Sequence, residues 1–160
     1  MRTRLVLAIF VLGLVAVGVA VAGVNRNWST HLNGVTEVPV RDTGAQGQAI
    51  FQLSKDGSSL DYKLIVANIQ NVTMAHIHLG GPTATGNIVA WLYPSAPPAV
   101  LIPGRSDGVL AEGTITSGDL VNDLAGQELS DLVDAMNAGL AYVNVHTSQF
   151  PPGEIRGNLD

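Results

Sequence analysis

From Trp28 onward the sequence is cut every few residues by glycine, proline, asparagine or aspartate, and between the cuts apolar and polar side chains alternate. That rhythm constrains the fold more than any other feature. Short alternating stretches bounded by turn formers are the pattern of half-buried strands, whereas a helix needs its apolar residues three or four apart. Gln48-Ala-Ile-Phe-Gln-Leu53 and Ser59-Leu-Asp-Tyr-Lys-Leu-Ile-Val66 flank Lys55-Asp56-Gly57-Ser58, and the Asp-Gly step predicts a tight hairpin between them. Leu60, Tyr62, Leu64 and Val66 share one face of the second strand, because side chains alternate sides along a strand. Further strands are predicted over residues 28–33, 72–79, 87–93, 108–115, 140–147 and 153–159. About eight short strands at this spacing predict an all-β domain, either a Greek-key β-sandwich or a closed barrel.

One segment departs from the pattern. Thr116-Ser-Gly-Asp-Leu120 can cap a first helical turn. From Glu128 to Ala138, Leu129, Leu132, Val133 and Met136 then recur at i, i+3, i+4 and i+7 before Gly139, which predicts a short amphipathic helix with a glycine stop. Helix is therefore expected only within about residues 117–138, its apolar stripe closing one end of the β structure rather than docking a partner. Asp119, Asp123, Asp131 and Asp134 fall on the solvated side of this insert and do not follow a calcium-loop spacing.

The N-terminus reads as an export signal. Met1 to Arg4 is short and positive, residues 5–22 are apolar and uncharged, and Ala20-Val-Ala22 offers a small-x-small cleavage pattern. Residues 1–22 are thus expected to be a signal peptide, or an uncleaved signal anchor as the only tie to a membrane. Residues 23–160 form one domain, secreted, periplasmic or on the cell surface. The chain carries 8 Lys plus Arg against 13 Asp plus Glu. Removing Arg2 and Arg4 leaves 6 against 13, a field that repels phosphate backbones, so no nucleic-acid partner is expected. With no cysteine, disulfides, thiolate zinc sites and cysteine nucleophiles are excluded. Gly80-Gly-Pro-Thr-Ala-Thr-Gly86 lacks the lysine of a phosphate loop and reads as a flexible turn.

The residues most suggestive of chemistry are Met74-Ala-His76-Ile-His78 and Tyr142-Val-Asn-Val-His146. His76 and His78 point to one side of their strand, with Met74 beside them and Ile77 opposite. Val143 and Val145 belong in the core, which turns Tyr142, Asn144 and His146 to the other face. Two imidazoles at i and i+2, joined by a third from a neighbouring strand, would make an open three-histidine site for copper or zinc. If residues 153–159 fold back antiparallel on this strand, Glu154 faces His146. It could then ligate, orient the imidazole, or pair with Arg156. His31, near the first strand, is expected to stand apart. Since a ligand imidazole must be neutral, binding should weaken as pH falls through about 6.

The sequence resembles a chordin-type (CHRD) domain. The resemblance is carried by Leu32-Asn-Gly-Val-Thr-Glu-Val-Pro39, Gly47-Gln-Ala-Ile-Phe51, Leu60-Asp-Tyr-Lys-Leu64, Ala75-His-Ile-His78, Gly113-Thr-Ile115, Ala141-Tyr-Val-Asn-Val-His-Thr147 and Gly153-Glu-Ile-Arg-Gly157, together covering about residues 28–160. It implies an extracytoplasmic all-β module. The growth-factor contacts of chordin belong largely to cysteine-rich domains and do not transfer to a chain without cysteine. More locally, His76, His78 and His146 are similar to part of the copper site of copper/zinc superoxide dismutase, although no matching fourth copper histidine or zinc-ligand loop is present.

The leading expectation is a non-enzymatic binding module holding a surface transition-metal ion through His76, His78, His146 and Glu154. Copper is favoured over zinc because Met74 offers a soft sulfur on the same face. The alternative is a structural or adhesive module contacting a cell-envelope or extracellular protein, and the third reading is a dismutase-like redox enzyme.

Overall fold

A computed structural model describes residues 25–159; the predicted leader, residues 1–22, lies outside them. The strands are β1 (Asn27–Asn33), β2 (Gln46–Leu53), β3 (Leu60–Leu79), β4 (Ile88–Tyr93), β5 (Ile102–Ile115), β6 (Ala141–Thr147) and β7 (Ile155–Leu159), with one helix, α1 (Leu129–Asn137). Strands β1, β2, β3, β6 and β7 pair in a ring that closes where Asn33 of β1 meets Arg156 of β7. Strands β4 and β5 are added along β3. The all-β expectation therefore holds as a barrel of five strands with two more alongside. Among the described residues no helix is long and apolar enough to cross a membrane.

Seven strands replace the predicted eight because residues 59–66 and 72–79 merge into β3. The join is a bend, not a loop. Asn68 and Asn71 adopt left-handed backbone (φ 56° and 52°), which asparagine tolerates better than most residues. The β5 register shifts between Val66 and Ile69 and again between Gln70 and Val72. Ile69 and Val72 are fully buried at the corner, so the apolar pattern carries the strand through the bend. The first half of β3 pairs with β2, with Leu60, Leu64 and Val66 inward and Tyr62 half-buried. The second half pairs with β6.

The helical insert follows its pattern. Short 3-10 turns at Ser117–Asp119 and Asn122–Leu124 precede α1, whose Leu129, Leu132, Val133 and Met136 are all buried in the common core. Gly139 takes φ 66°. Its N–H donates to Met136 O, and that of Leu140 donates to Ala135 O, the paired bonds of a glycine-terminated helix. The Trp28 indole donates to Asn137 (3.1 Å), tying the helix end to β1.

Candidate metal centre

The β3–β6 ladder brings the histidines together. Met74 lies opposite His146, His76 opposite Asn144, and His78 opposite Tyr142, so one face of two adjacent strands collects all three imidazoles. Each offers a nitrogen within 4.8 Å of the other two. An ion at their centre would lie about 2.8 Å or less from each nitrogen, against ~2.0–2.1 Å for a formed bond, so small side-chain rotations complete the site. His31, exposed on β1, lies outside the trio.

The expectation of a surface site is corrected: His76, His78 and His146 are 0%, 8% and 5% exposed. They do face away from Ile77 and Val145, but that second face is covered too. Tyr142 stacks on His78 at 4.9 Å and 7°, and Trp91 meets His76 edge-on at 4.2 Å. The loop 80–87 and the turn after Thr147 supply backbone. Alternation located the face; it could not show what lies over it.

Those backbone contacts set the tautomers. His78 Nδ1 lies 2.9 Å from Gly86 O, and His146 Nδ1 lies 2.9 Å from Pro151 O. A carbonyl only accepts, so each Nδ1 carries the proton and each Nε2 keeps a lone pair turned to the trio. His76 Nδ1 lies 3.2 Å from His146 Nε2 and donates to it when no ion intervenes. That spacing is close to the ~3.3 Å between two nitrogens bound to one tetrahedral ion. The Nε2 atoms of His76 and His78 are buried without a partner. Orphaned buried acceptors of this kind are costly in a native fold, and a cation between His76 Nδ1, His146 Nε2 and His78 Nε2 would satisfy that of His78.

Glu154 does not join. Its carboxylate accepts hydroxyl bonds from Thr43 (2.6 Å) and Thr147 (2.7 Å), and the His146 ring is oriented by Pro151 O. The predicted antiparallel return is present, with Asn144 opposite Arg156 and Val145 opposite Ile155. The hydroxyls of Thr43 and Thr147 take the side chain elsewhere.

Arg156 is the residue that sequence reasoning undervalued. It is fully buried and donates to Ala84 O (2.9 Å), Gly81 O (2.7 Å) and Asn158 (3.1 Å). Its guanidinium lies 3.4 Å over the Tyr142 ring, so Arg156, Tyr142 and His78 form one stack. The same loop is fixed by Gly86 N–H donating to the Tyr142 hydroxyl (3.2 Å). The only sequence signal was a charged residue on an inward-facing strand beside Gly157. Glu37, also buried, accepts from the Asn144 amide (2.6 Å).

Gly86 has no room for a side chain, because a Cβ there would fall on the Leu79 carbonyl. Gly86→Ala is therefore expected to cost about 1–3 kcal/mol through backbone displacement and to detach the carbonyl that orients His78. Thermal melts check this; an unchanged melting temperature would mean the loop relaxes freely.

Burial, followed by repulsion from His146 and His78, lowers the His76 pKa to about 3. Burial lowers that of His146 to about 4, against the Pro151 contact, which raises it. His78 is lowered in the same direction, chiefly by burial. His76 and His146 are therefore neutral at pH 6, which moves proton competition for an ion at these two rings well below the value expected from exposed imidazole. Unfolded, each imidazole takes up its proton near pH ~6.5; folded, His76 and His146 do so only near 3 and 4. Between these values the unfolded chain binds more protons, so stability of the metal-free protein must fall with pH, by up to about 1.4 kcal/mol per pH unit for each histidine. Glu37, raised by burial, works in the opposite direction. Comparing melts of wild type and His76→Asn from pH 7 to 4 isolates the histidine share; parallel curves would contradict it.

Comparison with curated proteins returned no match, and comparison with solved structures returned none, so the likeness to the dismutase copper site rests on the three histidines alone. A family model described as the CHRD domain matches residues 28–159. That span includes every residue of the trio and of its covering shell, and the chain belongs to the CHRD domain family.

Proposed function

We propose that this CHRD domain is an extracytoplasmic binding module that holds a single copper or zinc ion through His76, His78 and His146. The observation that carries the reading is the convergence of three buried imidazoles, one nitrogen of each within 4.8 Å of the others, with the Nε2 lone pair of His78 unpartnered and the Nδ1 atoms of His78 and His146 held by backbone carbonyls. A core that needed only packing would place apolar groups here, since unpaired buried acceptors lose free energy in every metal-free state. Tyr142, Arg156 and the Gly81–Gly86 turn act as positioning groups that hold the His78 ring and its tautomer. The apolar leader is the support for export, and burial of the trio favours retention of an ion over turnover of a substrate at it.

The test is metal content of the full chain purified without a polyhistidine tag. About one copper or zinc per chain, lost in His76→Ala, is expected. Metal-free protein that also fails to take up added ion would leave the structural-module reading in its place.

A further inference from the structure

The charge around the trio distinguishes among metals. Both carboxylates buried nearby are already occupied: Glu154 by Thr43 and Thr147, and Glu37 by the Asn144 amide and the Val38 N–H (3.2 Å). Neither reaches the cluster, whose ligands among the described residues are three imidazoles. Arg156, fully buried, stands on the far side of Tyr142 from His78 and puts a fixed positive charge behind that ring. An ion entering this pocket keeps its whole charge, because neutral imidazole cancels none of it.

The cost of moving an ion from water into a low-dielectric interior grows with the square of its charge, so a dication faces about four times the penalty of a monocation. Repulsion from Arg156 is doubled as well. Zinc or cupric ion could shed the excess only with a hydroxide or a carboxylate, and both buried carboxylates are committed elsewhere. Cuprous ion has one charge, a filled d shell, and is content with two or three nitrogen donors. Met74, the ladder partner of His146, stands on the same face with a soft thioether.

We propose that the site selects monovalent copper, bound by His76 Nδ1 and by the Nε2 atoms of His78 and His146. This rests on the metal-binding reading above and narrows it. The test uses the metal-free full chain under argon. Cuprous ion is titrated against a chromophoric cuprous chelator, and zinc and cupric ions against chelators matched to them. Silver(I) serves as a redox-inert stand-in during thermal melts. One cuprous ion per chain is expected, with a dissociation constant at least about 100-fold below that for zinc. Silver(I) should raise the melting temperature of wild type but not of His146→Ala, with far-UV spectra confirming that the variant is folded. Zinc or cupric ion bound as tightly as cuprous ion would overturn the selectivity while leaving a metal site. Failure of wild type to bind any of the four ions would overturn the selectivity and the metal-binding reading together.

Discussion

Replacing Arg156 with alanine is expected to lower the unfolding free energy by about 3–5 kcal/mol, the range for breaking a buried charged network from one side. The guanidinium is fully buried, holds the carbonyls of Gly81 and Ala84, and covers Tyr142. Alanine would leave the Ala84 carbonyl without this donor, leave the Gly81 carbonyl only the Ala84 N–H, and open the stack over His78. Lysine keeps the charge but not the planar fork, so Arg156→Lys should recover less than half of the loss. Urea denaturation reads the effect as a fall in midpoint at constant slope. A loss below about 1 kcal/mol, the net worth of one ordinary hydrogen bond, would mean that other contacts hold the loop 80–87.

Metal binding should give the other large effect. At a free ion concentration about 1,000 times the dissociation constant, a ligand bound only by the native state stabilises it by about 4 kcal/mol. For a domain of this size that is roughly 10–20 °C in melting temperature. His76→Ala and His146→Ala should each abolish the rise. Their metal-free baselines will also drop because a buried ring is removed, so the quantity to compare is the shift on adding ion. Glu154→Gln should retain the wild-type shift, since that carboxylate serves Thr43 and Thr147. Equal shifts in wild type and His146→Ala would place the ion elsewhere.

Much of this molecule was legible from residue order because strands impose a strict two-residue period. That period put His76 and His78 on one side, and the valines of 143 and 145 fixed which way His146 turned. It also identified the core face of Leu60, Leu64 and Val66, and the helical period identified the four buried residues of α1. What escaped has a common physical origin. Periodicity assigns faces but does not report whether a second layer covers them, so the trio was taken for a surface site. It breaks at a bend, so residues 59–66 and 72–79 read as two separate strands. Side-chain bonds to loop carbonyls, as made by Arg156, His78 and His146, follow no fixed spacing, running from 5 to 75 residues. Glu154 failed for the same reason: its register was right, and two hydroxyls decided its role.

The placement of the site along the chain has a consequence for how the domain forms. His146 follows His76 by 70 residues, and Arg156 reaches back 72 residues to Ala84. Contacts this distant in sequence must overcome the entropy of closing a long loop before they return any stability, which makes such β topologies slow to fold. A growing chain therefore displays His76 and His78 on a strand whose β6 partner has yet to be synthesised. The third imidazole arrives with β6, and the guanidinium that anchors the covering loop arrives with β7. Two imidazoles without the third hold an ion weakly, so secure capture comes only when the barrel closes, at the end of folding.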